Sequence, residues 1–224
     1  MPELKDVIDI VLHLNKHLGS WTEQYGGWIY LILFLVVFCE TGLVVTPFLP
    51  GDSLLFAAGA LCAAPSPQHA APLNLLVVIV LLVPAAILGD TVNYWIGHIV
   101  GPKIFRSESN RFLNQANLEK AHQFYEKYGG KAIILCRFMP LFRTFVPFVA
   151  GIGRMSYARF MSFNVIGGIA WVLGFTLMGF YFGNRELVKK NFSLVILLII
   201  LVSLLPAVIE FIRHRRAASS VNPR

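Results

Sequence analysis

The run LLVVIVLLVPAAIL begins at residue 75 and continues through Tyr94 and Trp95 to Ile99, with Asp90 as its one acid and no lysine or arginine. About 20 apolar residues suffice to carry a helix across roughly 30 Å of hydrocarbon, so the run predicts a transmembrane helix over 75–99. Residues 160–183 and 192–212 are further runs of that kind. Composition agrees: 14% of the 224 residues are charged and 56% are hydrophobic, against roughly a quarter charged in soluble domains. An integral membrane protein is the expected class.

The formal net charge of +7 is unevenly placed. It gathers in 101–131 (Lys103, Arg106, Arg111, Lys120, Lys127, Lys131) and in the tail FIRHRR, 211–216. By the positive-inside bias both are cytoplasmic, and nucleic-acid binding is not the expected reason for the basicity. The loop 64–74 carries no lysine, arginine or acid and reads as external. Residues 1–27 place Glu3, Asp6 and Asp9 where a signal peptide would be basic, and repeat apolar residues at helical spacing. An amphipathic helix on the membrane surface is predicted there. Cys39, Cys62 and Cys136 have no metal-ligand spacing and read as packing residues.

Two stretches break the apolar pattern. TPFLPGD (46–52) and RFMPLFR (137–143) put prolines and charges into the apolar sequence, and each is followed by similar segments, LLFAAGA (54–60) and PFVAGIG (147–153). Phe56, Ala58 and Gly59 match Phe148, Ala150 and Gly151 at one constant offset. Residues 132–153 lie between cytoplasmic segments and cannot be a single crossing, so a re-entrant hairpin is predicted. Its counterpart is 28–63, although 28–46 alone is long enough to span. The predicted fold is all-α and polytopic. Two inverted repeats, 28–100 and 132–183, each place a re-entrant, broken helical hairpin (28–63; 132–153) before a transmembrane helix (75–99; 160–183). The helix at 1–27, the basic segment 101–131, a C-terminal transmembrane helix at 192–212 and a cytoplasmic tail at 213–224 complete the chain.

Irregular backbone at membrane depth persists only where protein or a wet cavity surrounds it. Pro47, Pro50, Pro140 and Pro147 are the expected hairpin breakers. Glu40, Asp52, Arg137 and Arg143 fall beside them, and each unpaired charge at mid-membrane costs roughly 2.5–3.5 kcal/mol on insertion scales. The expected solution brings the hairpin tips together, acids of one against arginines of the other, around a water-accessible pocket. A guanidinium clamps phosphate bidentately, which makes Arg137 and Arg143 the candidate substrate ligands. Burial and a neighbouring cation act in opposite directions on a carboxyl's protonation, so Glu40 and Asp52 are the candidate proton-coupling groups. Asp90 reads either as part of this network or as an interface or packing residue. Asn164 reads as packing glue, and Gly89, Gly97, Gly167, Gly168 and Gly174 as points of close helix contact. Buried salt bridges that only fix the fold are the bland alternative for the four charges.

Glu40 followed by TPFLPGD, and then RFMPLFRTFVPFVAGIG, resembles the DedA family of bacterial inner-membrane proteins, related to the eukaryotic VTT-domain scramblases. The resemblance runs from the N-terminal helix to the IRHRR tail. It implies lipid translocation, in particular return of undecaprenyl phosphate to the cytoplasmic leaflet, with dependence on the proton motive force and roles in envelope integrity, cell division and resistance to cationic peptides. It also implies that the functional acids and arginines are Glu40, Asp52, Arg137 and Arg143. The expected partners are a lipid phosphate (undecaprenyl phosphate or a related phospholipid), protons and membrane lipids, with a homodimer as a candidate assembly and no cofactor or metal. A proton-coupled exporter of small cations or drugs and a scaffold for envelope or division machinery are the alternatives. No enzyme is expected, because no paired histidines or aspartate cluster accompany RFMPLFR and Ser53 lacks a base.

Overall fold

The computed structural model describes residues 21, 24–43, 51–63, 73–104, 129–153 and 155–202. Among them the regular elements are helices, with no strand. In chain order they are α1 (Trp28–Gly42), α2 (Gly51–Cys62), α3 (Leu75–Ile104), α4 (Lys131–Cys136), α5 (Pro140–Arg143), α6 (Phe145–Ile152), α7 (Tyr157–Phe182), α8 (Glu186–Lys190) and α9 (Phe192–Val202). The surface helix expected in 1–27 lies almost wholly outside the described residues. So do Pro47, Pro50, the loop at 64–72, most of the basic segment and everything after 202.

Among the described residues two helices are long and apolar enough to cross a membrane, Leu75–Val100 within α3 and α7 itself. Each has 26 residues, or about 39 Å of helix. Asn74 starts α3 by accepting hydrogen bonds from the Leu76 and Val77 amides at 3.0 and 3.2 Å, which satisfies donors the first turn cannot. The segment 131–153 is interrupted as its prolines require. A residue before proline is driven out of the helical region, and Met139 has φ −124° and ψ 100°, with Pro140 opening α5 behind it. Pro147 stands in the first turn of α6, where its missing N–H leaves no helical bond unmade. Both prolines therefore sit at helix starts.

The short helices are packed crosswise. α1 lies along α3, but α2 packs against α7, and α6, from the other half of the chain, packs against α3. Glycines make both cross-contacts. A Cβ on Gly59 of α2 would collide with the Thr176 carbonyl and meet the Phe180 amide of α7; one on Gly179 would strike the Phe56 carbonyl. Correspondingly, a Cβ on Gly151 of α6 would collide with the Tyr94 carbonyl and meet the His98 amide of α3, and one on Gly97 would strike the Phe148 carbonyl. Phe56 and Gly59 are the residues that match Phe148 and Gly151 in the sequence. Gly89, Gly167 and Gly168 also face close neighbours, as expected. Gly174 does not: a Cβ there has nothing within 4 Å, because it lies on a face of α7 that no described element covers.

Along the long helices the exposed side chains are mostly apolar, and several polar groups are buried between the helices. Leu76, Val80 and Ile99 of α3, Tyr181 of α7 and Leu194 of α9 are more than half exposed, whereas Asp90, Asn93, Arg137, Asn164 and Thr176 are fully buried. Water-soluble monomers rarely carry so continuous an apolar exterior; hydrocarbon tolerates it. Gly59→Ala is expected to destabilise the protein in detergent by about 1–3 kcal/mol, the usual range for overpacking. Gly174→Ala is expected to stay within about 0.5 kcal/mol of the parent. Thermal unfolding of the two variants side by side checks both.

Candidate functional site

Arg143 ends α5 and reaches two acids from the first half of the chain. Its Nη1 donates to Glu40 Oε1 at 2.7 Å and its Nη2 to Asp52 Oδ1 at 2.6 Å. Glu40 lies in the last turn of α1 and Asp52 in the first turn of α2. The Gly51 amide, the first of α2, donates to the same Glu40 oxygen at 3.0 Å, so a side chain from α1 caps α2. A Cβ at position 51 would collide with that carboxylate, which explains the glycine. Trp171 of α7 closes the arrangement: its indole N–H donates to Asp52 Oδ1 at 2.8 Å, and its ring lies 4.7 Å from the Arg143 guanidinium carbon. That separation is within cation–π range.

Arg137 belongs to a second cluster. Its Nη2 is 2.6 Å from Asp90 Oδ2. The same nitrogen donates to Asn164 Oδ1 and, at 3.5 Å, to the Ala86 carbonyl. Asn164 Nδ2 in turn donates to the Ile87 carbonyl at 3.1 Å and to Thr91 Oγ1 at 3.4 Å. Gly167 and Gly168 leave room for the guanidinium, with Gly167's Cβ position 3.1 Å from Arg137 Cδ. Asn93, one turn beyond Asp90, ties the clusters together: its Nδ2 donates to the Thr144 carbonyl next to Arg143 at 2.5 Å and, at 3.5 Å, to the Thr41 carbonyl next to Glu40.

These placements refine the expected convergence. Both candidate acids meet Arg143, but Arg137 goes to Asp90 rather than to either of them. The break at Phe138 and Met139 separates the two arginines, so that one faces α3 and α7 and the other faces the tips of α1 and α2. Glu40, Asp52, Asp90, Arg137 and Arg143 are all buried, and each has an oppositely charged neighbour among the described residues. Asp90 lies in a network, although not directly in the Glu40–Asp52 one. Asn164, expected as packing glue, is a ligand of Arg137. Trp171 was not anticipated, and its signal was position: tryptophans in spanning helices favour the membrane interfaces, whereas this one stands mid-helix. The carbonyls of Thr41 and Thr144 carry no sequence signal. Among the described residues no group of three His, Cys, Asp or Glu is placed to hold a metal ion.

Comparison with known proteins settles the family. The VTT domain matches residues 49–181, which includes every residue of both clusters except Glu40 and the Thr41 carbonyl beside it. The chain belongs to the DedA family. The family's "Protein DedA" of Escherichia coli is 54% identical over 213 residues, 95% of each chain. The "Uncharacterized membrane protein Rv0364" of Mycobacterium tuberculosis is 43% identical over 214 residues, 96% of this chain and 90% of the relative. The "Inner membrane protein YqjA" of Escherichia coli is 34% identical over 168 residues, 73% and 72% of the two chains. No solved structure matches. With its two spanning-length helices and these relatives, the chain is a DedA-family membrane protein, and none of the relatives' names carries an enzymatic activity.

Removing one partner of a buried ion pair strands the other. Asp90→Asn is therefore expected to cost about 3–5 kcal/mol. Replacing both members, Asp90→Leu with Arg137→Met, is expected to recover most of that loss. A double-mutant cycle by thermal unfolding in detergent measures the difference.

Proposed function

We propose that the protein is a membrane transporter that flips a lipid phosphate, undecaprenyl phosphate or a related phospholipid, across the bacterial inner membrane, driven by the proton motive force and serving envelope maintenance and cell division. In this reading 28–63 and 132–153 are the re-entrant hairpins of two inverted repeats, their tips meet at the Arg143 cluster, and the C-terminus is cytoplasmic. Arg143 is the phosphate ligand, Arg137 a supporting cation, and Glu40 and Asp52 the proton-coupling acids.

The observation that carries the reading is one buried guanidinium shared by two acids from other helices. Arg143 binds Glu40 and Asp52 at once, both almost fully buried. Either acid can give up its share of the guanidinium on taking a proton, which is the elementary act of a proton-coupled carrier. The matched glycine contacts of α2 on α7 and α6 on α3 support the repeat relation. The interrupted helices at 136–145 support a site built of broken helices, as in transporters with inverted repeats. A cation exporter is less well supported, because both acids already share one guanidinium that an incoming cation would have to displace.

Proteoliposomes carrying labelled undecaprenyl phosphate under an imposed pH gradient test the reading. Arg143→Lys keeps the charge but loses the planar fork, and transport is expected to fall about tenfold or more. Glu40→Gln is expected to abolish the response to the pH gradient. Undiminished transport by Arg143→Lys would remove the phosphate-ligand role.

A further inference from the structure

We infer that Glu40 sits in the seat of the substrate's phosphate group and must be displaced from it, taking up a proton, for the substrate to bind. The inference rests on the lipid-phosphate reading and adds the order of events at that site. Two donors converge on one oxygen of Glu40, the Arg143 Nη1 at 2.7 Å and the Gly51 amide at 3.0 Å. A guanidinium and the leading amide of a twelve-residue helix are what a phosphate group seeks, since helix N-termini favour anions and arginine binds their oxygens. The side chain of Glu40 is 5% exposed, and its second oxygen, Oε2, has no hydrogen-bond partner among the described residues. Arg143 Nε likewise has no partner there. The carboxylate thus fills an anion site without saturating it.

The remaining groups stay in place during the exchange. Asp52 is held by Arg143 Nη2 and by the Trp171 indole, so it anchors the guanidinium while Nη1 changes partner. Among the described residues the charged groups facing Glu40 are Arg143 from α5 and Asp52 from α2. The long helix α3, along which α1 packs, contributes Asp90, already bound to Arg137, and α1 itself carries only Cys39 beside it. Withdrawn from its cation into an apolar surround, the Glu40 carboxylate takes a proton from the aqueous phase. The proton gained by Glu40 offsets one negative charge of the incoming phosphate. Proton uptake and substrate binding become one event.

The sign of the effect separates this inference from a role for Glu40 as a direct contact of the substrate. Binding of farnesyl monophosphate to the purified full chain in detergent at pH 8 is measured by titration calorimetry in two buffers of different ionisation enthalpy. Glu40→Gln removes the competing anion and is expected to bind roughly ten- to a hundredfold tighter than the parent. The parent is expected to take up about one more proton per ligand than Glu40→Gln. Glu40→Asp, which keeps the charge but retracts it, is expected to lie between them in affinity and serves if Glu40→Gln does not fold. Equal or weaker binding by both variants, with the parent binding and Arg143→Gln not, overturns the displacement and leaves the lipid-phosphate reading standing. No binding by the parent or by any variant overturns both.

Discussion

One guanidinium shared by two carboxylates links three separate segments of this chain. Arg143 comes from the interrupted segment after residue 136, Glu40 and Asp52 from the two helices at the start of the chain, and both contacts are shorter than 2.8 Å. In an apolar interior such groups are tolerated only in company. Much of the surrounding architecture can be understood as supplying it. The α2 N-terminus gives Glu40 a backbone donor, Trp171 gives Asp52 another and lies on the guanidinium, and Asn93 secures the carbonyls on either side of the cluster.

The second cluster shows the same physics with a different outcome. Arg137 and Asp90 are one charge each, and Asn164 and the Ala86 carbonyl share the guanidinium with Asp90. Gly167 and Gly168 of α7 lie against the guanidinium. The pair ties the residue after α4 to α3 and, through Asn164, to α7, while at Arg143 one guanidinium serves two acids. The two arginines are six positions apart in the chain, and the proline-induced break between them is what allows two such different environments.

Backbone-to-backbone packing makes this exactness of position achievable. At Gly59, Gly97, Gly151 and Gly179 the helices touch with no side chain between them. In hydrocarbon, where apolar side chains gain little by leaving the lipid, close van der Waals contact is the main cohesive force available. Asp52 is therefore carried on a helix docked directly on α7, and Arg143 immediately precedes one docked directly on α3.

The class of protein and the breaks in its helices were determined by the sequence itself. Apolar run length decides whether a helix can span, and Pro140 decides that Met139 leaves the helical region; both are local constraints that any tertiary arrangement must obey. The motif around Glu40, Asp52, Arg137 and Arg143 was legible for a related reason, since charges in apolar stretches stand out. Partner choice was not legible. Whether an arginine meets Glu40, Asp52 or Asp90 depends on which helix faces which, and α2 crossing to α7 while α6 crosses to α3 is a property of packing, not of any one segment. Trp171 and Asn164 became part of the site on the same account: each is an ordinary residue of a spanning helix until the fold brings it within hydrogen-bonding distance of a charge more than 25 residues away in the chain.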